Sequence, residues 1–159
     1  MSRKELLKRY LSRYNNAKIR IRHLEKLSDE IKQNVDSLKS PCDTTPRVKN
    51  SIVNSGAAEC ALRIIETEER ILEQRKKLSI IMGEILDVFD FLPIESRERH
   101  VLELRYLNNY SVIEICTECK VCSSTYHALC DRGIKRLLKY QKINDTISKY
   151  EEALKSGEA

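Results

Sequence analysis

Between residues 97 and 138 the apolar positions, the caps and the turn follow one plan: short helices joined tightly around a shared core. Ser111 and Glu114 have the spacing of a capping box, in which the hydroxyl satisfies an orphan N–H and the carboxylate reaches back to the cap. Val112, Ile115, Cys116 and Cys119 then fall on one side of a short helix. Val121 tucks into the turn. Tyr126, Leu129, Cys130, Gly133, Ile134 and Leu137 mark the buried stripe of a second helix, and Val101, Leu102, Leu104 and Tyr106 give a third upstream. Three such helices, the last with a polar outer face, predict a helix-turn-helix of the size that fits a DNA major groove.

The preceding residues carry a different period. Leu7, Tyr10, Tyr14, Ala17, Ile21, Leu24, Ser28, Ile31, Val35 and Leu38 alternate spacings of three and four, with Leu11 and Leu27 widening the stripe. This is the coiled-coil heptad. Ser40-Pro41 ends the run, because proline disfavours a helical residue before it. Turn formers then make a loop of about 40–55. A second helix is predicted from about Gly56 to Phe91, with the seam Ala57, Cys60, Ile64, Thr67, Ile71, Gln74, Leu78, Ile81, Ile85, Val88 and Leu92. The net charge is +6 over residues 1–39 and −2 over 40–91. Matched length, matched period and opposite charge favour a long antiparallel coiled-coil hairpin over 1–91. Its two-helix seam is thin, so a homodimer through the hairpin is a further expectation. Thr67 and Gln74 are polar at seam sites, which lowers stability and fixes register.

The fold class that follows is all-α: the helical hairpin of residues 1–91, a small three-helix helix-turn-helix domain over 92–142, and a short C-terminal helix or tail over 143–159. One third of the residues are charged, with only four glycines and three prolines, as long exposed helices require. No run approaches 18 apolar residues, so no membrane span is expected, and the chain reads as a cytoplasmic protein. Six cysteines in that compartment read as reduced thiols. Cys116, Cys119 and Cys122 invite a metal reading, with His127 or Cys130 as fourth ligand. A helical pattern running through the ligands argues against it, and no metal or other cofactor is expected. A regulatory thiol is the alternative, but burial is expected to leave these thiols inert. His23 and His100 lie on polar stretches without a nucleophile arrangement, and no phosphate loop or metalloprotease motif occurs, so an enzyme is not expected.

Arg97-Glu98-Arg99-His100-Val101-Leu102-Glu103-Leu104-Arg105-Tyr106-Leu107, followed by Ser111 through Leu138, resembles the promoter-reading region 4 of bacterial sigma factors. The resemblance covers roughly a quarter of the chain. A helical front before such a module is similar to small Gram-positive phage proteins, including late-gene transcription regulators of the ArpU and RinA type. With no room for the domain with which sigma factors melt promoter DNA, a complete sigma factor is not expected. The resemblance implies a phage- or prophage-encoded transcription regulator acting in a bacterial host cell, with double-stranded DNA and RNA polymerase as partners.

On that alignment Ser123, Ser124, His127 and Ala128 face bases, and Asp131 shares the stripe of Ser124 and His127. Sigma factors place Arg, Glu and Gln-like side chains there. Ser, His and Ala make no comparable bidentate contact to base edges, so the sigma specificity does not transfer. Arg105, Ser111, Lys120, Arg132, Lys135, Arg136 and Lys139 are the candidate phosphate contacts, with Ser111 marking a helix N-terminus. The competing reading is a coiled-coil adaptor that contacts RNA polymerase or another protein without reading DNA itself.

Overall fold

The computed structural model of the protein describes residues 2–38 and 54–157, with the side chains of 35–38 and 54–57 left aside. The described residues are all-α: α1 Arg3–Leu38, α2 Asn54–Phe89, α3 Arg97–Tyr106, α4 Val112–Glu118, α5 Ser123–Leu137 and α6 Gln141–Ser156. No strand occurs among them, and none of these helices is long and apolar enough to cross a membrane. Of the expected loop of 40–55, Asn54 and Ser55 already belong to α2, and 40–53 lie outside the described residues. The seam sites Val35, Leu38 and Ala57 lie outside the described side chains. At its other end α2 stops at Phe89, two residues before the expected Phe91. The Phe91 and Leu92 amides fall back on the Val88 and Phe89 carbonyls, a tightened last turn that Pro93 does not continue.

The described residues form two compact units, residues 17–77 and residues 1–16 with 78–159. Burial divides the chain differently from the sequence-based 1–91, 92–142 and 143–159, because both ends of the chain contribute to one core.

In the unit of residues 17–77, Arg75 bonds Glu25 at 2.6 Å and Lys32 bonds Glu68 at 2.8 Å. The two pairs are one heptad apart on each helix, at positions that rise along α1 as they fall along α2. Ile21, Ser28, Thr67 and Ile71 are buried on this seam, and Ile64, Gln74, Leu24 and Ile31 are half-buried. Thr67 satisfies its hydroxyl locally, on the Arg63 carbonyl at 2.7 Å. Ser28 Oγ is buried without a partner, a local cost of about 1–3 kcal/mol. Leu27 does not widen the stripe: it is 47% exposed, because a single facing helix covers only a narrow seam.

The other unit holds two cores. In the first, Leu6, Leu7, Tyr10 and Leu11 of α1 meet Ile85, Val88 and Phe89 of α2, with Leu102, Ile134 and Leu137. Ile143, Ile147 and Tyr150 of α6 complete it. The C-terminal segment is therefore a structural helix, fixed by Tyr150 edge-on to Tyr10 at 5.3 Å. Arg13 stacks 4.0 Å over the Tyr10 ring and pairs with Glu84. Burial of its ring pushes the Tyr10 hydroxyl up to about 12. The second core is Val101, Leu104, Ile115, Tyr126 and Leu129, lined by Val112, Cys116, Cys119 and Val121. It binds α3, α4 and α5 together, and Gly133 of α5 lies against Glu98 and Leu102 of α3. A Cβ there would lie 2.8 Å from Leu102 Cδ1 and 3.3 Å from Glu98 Cβ.

Candidate nucleic-acid interface

α4 begins as its sequence requires. Ser111 N–H donates to Glu114 Oε2 at 2.7 Å, and Glu114 N–H donates to Ser111 Oγ at 3.3 Å. These two bonds close the capping box and hold the Glu114 carboxyl below the usual carboxylate range, the Ser111 N–H being the larger cause. The Ser111 N–H is thereby engaged, while its hydroxyl only accepts here and keeps its O–H to donate.

The turn into α5 is built on the backbone. Cys119 N–H returns to the Ile115 carbonyl at 2.9 Å and Val121 N–H to the Cys116 carbonyl at 3.0 Å. Lys120 stands between them in the left-handed region, φ 51. That conformation costs a non-glycine residue about 1–2 kcal/mol, held here by the packing of Val121 and Cys119 on the second core. Lys120 itself is exposed.

Cys122 caps α5 and is exposed, against the expectation of burial. Its thiol lies 3.1 Å from both Ser124 Oγ and Thr125 Oγ1. Those hydroxyls, Ser124 first, bring the thiol down to about 7. Cys119 and Cys130 behave as expected of packed thiols: both are half-buried, and burial pushes both up. Among the described residues no group of three His, Cys, Asp or Glu side chains is placed to hold a metal.

Of the five proposed base-facing residues, Ser123, Ser124, His127 and Ala128 are exposed on α5. His127 lies edge-on to the buried Tyr126, centroids 4.9 Å apart. Asp131 is half-buried and committed elsewhere, to Lys135 at 2.6 Å and to Lys4 of α1 at 3.1 Å. Those two ammonium groups, Lys135 first, hold its carboxyl low.

The proposed phosphate contacts are all exposed, and Arg132, Lys135 and Arg136 lie on α5 itself. Arg132 and Arg136 lean on Glu98 of α3, at 3.4 and 3.8 Å. Glu98 is buried. Arg105 donates to the Tyr110 carbonyl at 3.3 Å, and Lys139 follows the end of α5. Sequence reasoning missed Lys4, Glu98 and the exposed thiol of Cys122. The first is 127 residues away from Asp131 along the chain, and only the shared core brings it close. For Glu98 a signal exists: an acid four residues before Leu102 on the buried side of α3. No protein-family model, curated protein or solved structure matches the chain.

Proposed function

We propose that α3, α4 and α5 form a helix-turn-helix, carried on a helical hairpin of α1 and α2, and that α5 docks in the major groove of duplex DNA. On this reading the chain is a transcription regulator of phage or prophage origin working in the bacterial cytoplasm, sequence-specific or assisted by RNA polymerase. The observation that carries it is the outer side of α5. Ser123, Ser124, His127 and Ala128 are exposed there, while Arg132, Lys135, Arg136 and Lys139 flank them without entering either core. Lysines and arginines beside a polar helix face position the protein on phosphates, and the exposed small side chains allow close approach to base edges.

A second reading has its own support. None of the four exposed side chains makes the two-point contact by which arginine reads guanine or glutamine reads adenine, and Asp131 is tied to two lysines. A chain with so little direct readout takes its specificity from a partner, and an adaptor on RNA polymerase is the form this takes. Selection of binding sites from a random duplex library with the full-length protein, at low and moderate salt, separates the readings. An enriched motif is expected of a regulator that reads DNA. Salt-sensitive retention without a motif assigns specificity to a partner, and no retention at either salt leaves the adaptor.

A further inference from the structure

α2 carries a second apolar stripe on the side away from its seam with α1. Leu62, Ile65 and Leu72 are 61%, 52% and 56% exposed, and Ile80 of the same continuous helix is 64% exposed. Leu62, Ile65, Glu69, Leu72 and Lys76 alternate spacings of three and four, which is the coiled-coil period over again. They lie about half a turn round from the buried Thr67 and Ile71. The adjacent charges Glu68 and Arg75 are used on α1. Glu69 and Lys76, one residue further on in each case, face outward with the stripe.

The order of charges on this stripe selects its occupant. In a parallel self-pairing Glu69 meets Glu69 and Lys76 meets Lys76, and both contacts repel. In an antiparallel pairing about a twofold axis between residues 72 and 73, Glu69 of each copy meets Lys76 of the other. Ile65 then meets Ile80, and Leu72 packs on its own copy beside the axis. Glu73, next to that axis, is already neutralised by Lys77 at 2.8 Å. Ile65 facing Ile80 and Glu69 facing Lys76 are each complementary, and Leu62 comes opposite Gly83, which has no side chain to oppose it; an isologous interface requires such self-complementarity.

We infer that the outer face of α2 is a self-docking surface, on which a second copy of this chain pairs antiparallel through Leu62, Ile65, Leu72 and Ile80 with two reciprocal Glu69–Lys76 bridges. The inference stands on α2 and does not rest on the DNA-binding reading. Sedimentation velocity of the full-length protein over a range of concentrations tests it, with charge swaps at the two exposed sites, where folding is preserved. The wild type is expected to form a concentration-dependent dimer. Glu69→Lys and Lys76→Glu each place like charges opposite one another and are expected to raise the dissociation constant about tenfold or more. The double swap restores opposite charges and is expected to return the dimer. A monomer at every concentration, a dimer indifferent to the single swaps, or a double swap as weak as the singles would overturn it. The last two outcomes would place the contact between copies elsewhere on the chain.

Discussion

At the scale of single residues, Gly133 decides how closely α5 approaches α3. Gly133→Ala gains about 1 kcal/mol of helix propensity but forces a methyl against the fully buried Leu102, an overpacking cost of about 1–3 kcal/mol. The second effect is the larger, so the variant should unfold at lower temperature than wild type in a calorimetric scan. Cys122 gives a chemical prediction. Its thiol is exposed and lowered to about 7, so it should be about half thiolate at neutral pH. Its alkylation rate should rise through pH 7 and level off above it, while Cys119 and Cys130, pushed up by burial, react slowly throughout. Peptide mapping after timed alkylation at several pH values checks this, and equal labelling of the three sites would refute it.

At the scale of elements, α4 depends on its cap. Seven residues are too few to be stable alone, so Ser111→Ala should cost roughly 1 kcal/mol and loosen α4 first. The Glu114 half of the cap has a definite pH dependence. Because folding lowers that carboxyl, its contribution is present above the unfolded carboxylate range and is lost as pH falls through the lower folded value. Amide exchange in α4 should therefore accelerate on acidification, and less so in Glu114→Gln. α6 makes a larger prediction. Truncation after Tyr140 removes Ile143, Ile147 and Tyr150 from the first core, each worth about 1.5–3 kcal/mol, against a total stability of about 5–15 kcal/mol. The truncated chain should lose cooperative unfolding. These elements differ in how far the sequence discloses them. The stripes of α3 and α5 and the capping box of α4 are legible because helical spacing and local hydrogen bonding depend on near neighbours. The placement of α6 is not, because Ile143, Ile147 and Tyr150 share their core with Leu7 and Tyr10 from the far end of the chain. The Lys4–Asp131 pair is hidden for the same reason.

At the scale of the whole molecule, the first core limits how the chain can be dissected. Removing residues 1–91 would take Leu6, Leu7, Tyr10, Leu11, Ile85, Val88 and Phe89 with it, so the remainder should not fold cooperatively. The net charge of +5 favours association with a polyanion but does not localise it. On the proposed reading the cations around α5 localise it. The measurement that tests the central claim most directly is the salt dependence of duplex binding by the full-length protein and by Lys135→Ala/Arg136→Ala, each checked for native circular dichroism. If α5 lies in the groove with these side chains on phosphates, affinity falls linearly on a double-logarithmic plot. The double variant then binds every sequence more weakly, with a slope shallower by roughly two. A variant that binds duplex with the slope and affinity of the wild type, or a wild type that retains no duplex even at low salt, would contradict the assignment of α5 to DNA.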